Sequence, residues 1–160
     1  MTIAKGDRLP DATLIRATPD GPDTTTTAEF FRSKTVVLFA VPGAFTPTCS
    51  ISHLPSFVEK ADELKAKGVD EIACVAVNDA FVLNAWAREG AAQGKVVMLS
   101  DGSGDFTRAL GLEMDASAFG MGKRSQRYAM VVDDGVVRSI DVEAPGEFKV
   151  SSAEHVLQQL

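Results

Sequence analysis

Cysteine, histidine, tryptophan and tyrosine are scarce in this chain. Its 160 residues include two cysteines, two histidines, one tryptophan and one tyrosine. Two cysteines make no disulfide framework and point to a reducing compartment, where a retained cysteine is a core residue, a ligand or a nucleophile. No unbroken apolar run exceeds six residues, Val36–Val41 being one. That is far short of the roughly 20 a spanning helix needs, so no membrane partner is expected. A basic excess is missing too: 16 Lys and Arg stand against 22 Asp and Glu, a net charge of −6. This argues against a nucleic-acid partner. The segment from Met1 to Asp7 has neither an apolar signal core nor an Arg-rich amphipathic stretch, and the cytoplasm is the expected location.

What is present is ordinary globular composition, 45% hydrophobic and 24% charged, which excludes a disordered or collagen-like chain. No internal repeat or linker divides the sequence, so residues 1–160 are expected to form a single domain. A core of that size buries roughly 70% of the surface of the unfolded chain.

Thr35–Val41 is β-branched and apolar on both faces, closed by Pro42-Gly43, and predicts a buried central strand. Beyond a loop, Ile51, Leu54, Val58, Ala61 and Leu64 recur at helical spacing, with Pro55 expected to kink the helix. A second buried strand is predicted at Glu71–Val77, a helix over 80–91 and a short strand at Val96–Leu99. Ser103 or Asp105 is expected to cap a short helix through Leu110. Arg127–Val132 and Val136–Val142 flank Asp134-Gly135, a hairpin signal, and Glu154–Leu160 predicts a further helix. This order, β-α-β-α-β-α-β-β-α, is that of an α/β protein with a mixed central sheet and helices on both faces, and it fits a thioredoxin-like fold.

The segment richest in chemistry is Pro42-Gly43-Ala44-Phe45-Thr46-Pro47-Thr48-Cys49-Ser50. Cys49 falls where a loop leaves a buried strand and a helix begins. Free N–H groups and the helix dipole favour a thiolate there. Thr46 and Thr48 bring hydroxyls within a turn of the sulfur, and Pro42 and Pro47 stiffen the loop. From position alone, an activated thiol and an inert buried cysteine both remain open.

That segment, followed by His53-Leu54-Pro55, resembles the active-site signature of the peroxiredoxins, Pro-x-x-x-Thr-x-x-Cys. Within them it is similar to the type II, peroxiredoxin-five-like group that includes the glutaredoxin-dependent enzymes. The resemblance continues through Val75–Val82 and Arg127–Gly135. It implies a thioredoxin-like fold and a thiol peroxidase that reduces hydrogen peroxide and small alkyl hydroperoxides with no cofactor or metal. Cys49 matches the peroxidatic cysteine, which becomes a sulfenic acid. Thr46 would hydrogen-bond the peroxide, and Pro42 would limit solvent at the sulfur. The family arginine falls on Arg127 rather than Arg124, stabilising the thiolate and polarising the peroxide.

Cys74, in the middle of an apolar strand, is expected to be core packing. No cysteine lies in Glu147–Leu160, so the C-terminal resolving route used by some relatives is closed. The resemblance then implies reduction by an external thiol, glutathione with glutaredoxin or thioredoxin. Phe45 and Phe119-Gly120-Met121-Gly122 are apolar in segments that look exposed. They read either as local packing under the loop or as a subunit contact, and the resemblance implies a homodimer built through that region.

Other readings are weaker. Cys49 and His53 share a helix face, but two ligands do not make a metal site. A Cys–His hydrolase would take His53 or His155 as base. A thiol–disulfide oxidoreductase would need a cysteine where Thr46 stands. A redox-inactive thioredoxin-fold binding module would have no need of the intact signature.

Overall fold

The computed structural model describes residues 1–160. The chain begins with an antiparallel hairpin, β1 (Thr13–Thr18) and β2 (Gly21–Thr26), and a short helix, α1 (Thr27–Phe31). Next come β3 (Thr35–Ala40), a π-helical turn over Cys49–His53, α2 (Leu54–Ala66), β4 (Glu71–Ala76), α3 (Ala80–Glu89), β5 (Val97–Ser100) and α4 (Asp105–Leu110). A small separate ribbon, β6 (Glu113–Asp115) and β7 (Lys123–Ser125), leads to the hairpin β8 (Tyr128–Asp133) and β9 (Val136–Val142), and then to α5 (Ala153–Leu157).

Seven strands form one sheet in the order β2-β1-β5-β4-β3-β8-β9. β3, β4 and β5 run parallel, joined by helical crossovers, while β8 pairs with β3 antiparallel. Alternation along β3 explains the two layers. Val37 and Phe39 enter a core with Leu54 and Phe57 of α2, Leu83 and Trp86 of α3 and Val156 of α5. Val36, Leu38 and Ala40 enter the opposite core with Phe30 and Phe31 of α1 and Phe106 and Leu110 of α4. A strand buried on both faces needs apolar residues at every position, and β3 has them. Asp134 and Gly135 adopt φ of 48° and 81°, the left-handed pair that a two-residue hairpin requires.

Three local expectations change. Pro55 is the second residue of α2, inside the helical run that starts at Pro47, and the departure from regular helix falls just before it. The preceding turn is widened, with the Leu54 N–H bonded to the Cys49 carbonyl, an i to i−5 pattern. The extra residue in that turn shifts the helical phase, leaving Ile51 76% exposed while Leu54, Phe57, Ala61 and Leu64 are buried. Neither Ser103 nor Asp105 caps α4. Its first turn is held by Asp101, whose carboxylate accepts from the N–H groups of Phe106 and Thr107 at 3.1 and 2.8 Å. The hairpin β1–β2 is absent from the sequence reading because β2 is a polar edge strand with only Thr25 buried. No helix is long and apolar enough to cross a membrane.

Candidate active site

The site is assembled where β3 ends. Val41 keeps one ladder bond, to the Val75 carbonyl at 3.3 Å, and the chain then turns away at Pro42. The Ala44 N–H donates to Asn78 Oδ1 at 2.9 Å, which ties this loop to the end of β4. The Thr46 hydroxyl donates to the Gly43 carbonyl at 2.7 Å. Gly43 sits in a close approach: a Cβ there would lie 3.1 Å from Arg124 Nη1, from Met121 Cε and from Thr46 Cγ2, so these side chains would have to give by a few tenths of an ångström. Helical hydrogen bonding starts with the Ser50 N–H on the Thr46 carbonyl at 2.9 Å. Pro47 is the first helical residue, a place where its missing N–H costs nothing. Cys49 therefore lies in the first turn. Trp86 Nε1 donates to Ser50 Oγ at 3.0 Å and pins that turn to α3.

Cys49 is fully buried, yet its sulfur meets a cation. Arg127 Nη2 donates to Cys49 Sγ at 3.1 Å, and Arg127 Nη1 reaches His53 Nδ1 at 2.8 Å. His53 Nε2 lies 2.9 Å from the Ser151 carbonyl. A carbonyl can only accept, so Nε2 carries the ring proton and Nδ1 is the acceptor for Arg127. Burial, reinforced by the Arg127 guanidinium, lowers the His53 pKa to about 3, and the ring is neutral. Phe39 and Phe148 pack around it with ring centroids at 4.9 and 5.0 Å. Burial also pushes the Cys74 thiol pKa up, and Cys49 adds to the push. Cys74 is a neutral, core-packed thiol.

Beyond His53, the carboxylate of Glu143 accepts from the N–H groups of Lys149, Val150 and Ser151 at 2.8 to 2.9 Å and from the Ser151 hydroxyl at 2.7 Å. Its burial works against ionisation. The bonds from the Ser151 hydroxyl and the main chain of residues 149–151 prevail, and its pKa lies below the ordinary carboxyl value.

Of the residues read from the sequence, Cys49 and Arg127 are in direct contact. Thr46 belongs to the same loop, with its proton engaged on Gly43, so toward a bound oxygen it offers lone pairs. Pro42 is held through its carbonyl by Arg124 Nη1 at 3.4 Å, and Arg124 Nε also donates to the Met121 carbonyl at 2.9 Å. Thr48 makes no capping bond. Both ring nitrogens of His53 are engaged, which leaves neither for a metal or for general-base work. His155 lies on α5 beside Asp141, 3.4 Å away. Sequence reasoning gave no structural role to His53, Asn78, Ser151 or Glu143. The one available signal was the four-residue spacing of Cys49 and His53. Nothing local marks Glu143.

The Redoxin family model matches residues 4–157. The chain is 57% identical to Peroxiredoxin-2E-2, chloroplastic, of Oryza sativa subsp. japonica, over 99% of its own length and 73% of that relative's. It is 48% identical to Peroxiredoxin-2B of Arabidopsis thaliana, over 99% and 98% of the two chains. Among solved structures it resembles reduced Prx3 of Vibrio vulnificus in complex with hydrogen peroxide, with a TM-score of 0.95, 56% identity and 99% coverage of each chain. With relatives of this kind matched over 99% of the chain, and a thioredoxin-like sheet beneath a buried cysteine, the chain belongs to the Redoxin family, among the type II, peroxiredoxin-five-like peroxiredoxins, and is a thiol peroxidase.

Proposed function

We propose that Cys49 is the peroxidatic nucleophile of this peroxidase and that Arg127, Thr46 and Pro42 form its peroxide pocket. The observation that carries the assignment is the 3.1 Å contact between Arg127 Nη2 and Cys49 Sγ. A core thiol has no use for a guanidinium, whereas a thiolate is stabilised by one. The thiolate attacks one oxygen of the hydroperoxide and the O–O bond breaks. Sulfur is oxidised to sulfenic acid, and the second oxygen leaves as water or alcohol after taking up a proton. Arg127 stabilises charge on the departing oxygen. Thr46 accepts from the peroxide O–H, and Pro42 keeps water from the sulfur.

The sulfenic acid is then reduced by an external thiol, which condenses with it to a mixed disulfide and water. A second thiol releases Cys49. Glutathione with glutaredoxin, or thioredoxin, fits this route, because Cys74 is buried and both cysteines are unpaired. Hydrogen peroxide and small alkyl hydroperoxides are the substrates. Residues 1–160 act as one domain in the cytoplasm, and the chain works as a homodimer joined beside the active-site loop. Phe45, Ile51, Phe81 and Phe119 support the dimer, being 51%, 76%, 71% and 83% exposed. Asn78 and Arg124 link the segments that carry them to Ala44 and Pro42.

The test is hydroperoxide consumption by the reduced protein with dithiothreitol, for wild type, Cys49→Ser and Cys74→Ala. Loss of activity confined to Cys49→Ser is expected. Equal consumption by wild type and Cys49→Ser would overturn the assignment.

A further inference from the structure

The buried carboxylate of Glu143 has no place in the chemistry above, yet it anchors a continuous hydrogen-bonded path to the reactive sulfur. Glu143 follows β9 and is 6% exposed. Its carboxylate gathers three consecutive main-chain N–H groups and the Ser151 hydroxyl. This fixes the segment 149–151 and aims the Ser151 carbonyl at His53 Nε2, 2.9 Å away. The oriented imidazole presents Nδ1 to Arg127 Nη1 at 2.8 Å, and Arg127 Nη2 reaches Cys49 Sγ at 3.1 Å. Glu143 also grips Arg127 from behind, because its own N–H donates to the Arg127 carbonyl at 2.9 Å. One residue therefore holds both the backbone and, through two intermediates, the guanidinium of Arg127. A guanidinium reaches water without help; holding it against a buried sulfur needs its other donors fixed, and a network in low dielectric does so strongly.

We propose that Glu143 is a positioning residue for the peroxidase reaction, acting through the Ser151 carbonyl and His53 to set the Arg127 guanidinium against Cys49 Sγ. The inference builds on the assignment of Cys49 and Arg127 above. A carboxylate is suited to the place because its two oxygens can accept all four donors, whereas an amide would bring its own N–H groups against them.

Glu143→Gln, His53→Gln and the double variant are compared in the full-length reduced protein. Three readouts are taken: kcat/KM for hydrogen peroxide, the pH profile of Cys49 alkylation by iodoacetamide, and the thermal midpoint. Glu143→Gln is expected to lower kcat/KM about 10-fold and to move the alkylation profile to higher pH, while the double variant is no slower than His53→Gln alone. A lowered thermal midpoint with unchanged rate and alkylation profile would overturn the proposal, leaving Glu143 a fold-stabilising residue. Multiplicative losses in the double variant would also overturn it, since Glu143 would then not act through His53. Should Glu143→Gln fail to fold, Ser151→Ala removes one bond to the carboxylate and keeps the carbonyl. It is expected to shift the alkylation profile in the same direction by a smaller amount, and an unmoved profile counts against the proposal. If the wild type consumes no peroxide, the assignment of Cys49 fails, yet the alkylation profile still reports whether Glu143 governs the Arg127–Cys49 contact.

Discussion

His53 accepts a hydrogen bond from Arg127, at 2.8 Å between Nδ1 and Nη1, and it can do so because the imidazole is neutral. A protonated ring would have no lone pair to offer and would set two cations side by side in a buried site.

This neutrality has a cost in acid. Unfolded, His53 titrates near its ordinary 6.5, and folded near 3. Between those values the unfolded chain binds more protons, so stability is whole above pH 6.5 and falls as pH drops toward 3. The slope for one such group approaches about 1.4 kcal/mol per pH unit. Urea midpoints measured between pH 7 and 5 are expected to fall in the wild type and to stay nearly level in His53→Gln. Glu143, with its lowered pKa, adds a loss of the same sign as pH falls through the carboxyl range. A level wild-type profile would mean that the folded protein accommodates the imidazolium.

Arg127 serves two partners with one fork, which a lysine cannot do. Arg127→Gln is expected to lower kcat/KM for hydrogen peroxide by about 10²–10³. Arg127→Lys should keep part of the charge effect and fall between the two. Stopped-flow peroxide kinetics check both. A lysine variant as slow as the glutamine would show that the fork, rather than the charge, carries the effect.

Asn78 fixes the loop that carries Pro42 and Thr46 by accepting from the Ala44 N–H at 2.9 Å. Asn78→Ala is expected to cost about 1 kcal/mol of stability and to slow peroxide reduction by about 10-fold through loss of orientation. Paired denaturation and kinetic measurements separate these. A stability loss without a kinetic one would reduce Asn78 to a structural tie.

The sulfur is buried, and opening of the turn at Cys49–His53 is the proposed route by which a protein reductant reaches it. Amide exchange over residues 49–56 is expected to quicken when Cys49 is oxidised. Exchange that stays slow would place the entry of the reductant elsewhere.

Phe81 and Phe119 are large and exposed. In the proposed homodimer, Phe81→Asp and Phe119→Asp are expected to convert dimer to monomer in sedimentation experiments. A monomeric wild type would remove the homodimer and leave the patch for another partner.

The central strand was legible because β3 is apolar at consecutive positions, and the β8–β9 hairpin because Asp134-Gly135 supplies two left-handed residues. Periodicity placed the body of α2, but it did not reveal the π-helical turn. Five residues of one wide turn leave the same sequence pattern as an ordinary helix start. The exposed β2 carries no alternation to read, and Pro55 marks a break in helical regularity without showing that it takes the form of a π-helical turn.

What the sequence determined by itself was the layer order and the candidates of the Pro42–Cys49 segment, since strand burial, loop stiffness and helix start are properties of neighbours along the chain. The tertiary structure decided how Arg127, singled out by resemblance, reaches the sulfur, that His53 is neutral, and that Glu143 belongs to the same network. Those depend on bringing together Cys49, Arg127, Glu143 and Ser151 from the ends of separate strands and helices. Hydrogen bonding acts over about 3 Å in space, and no local pattern encodes that closeness.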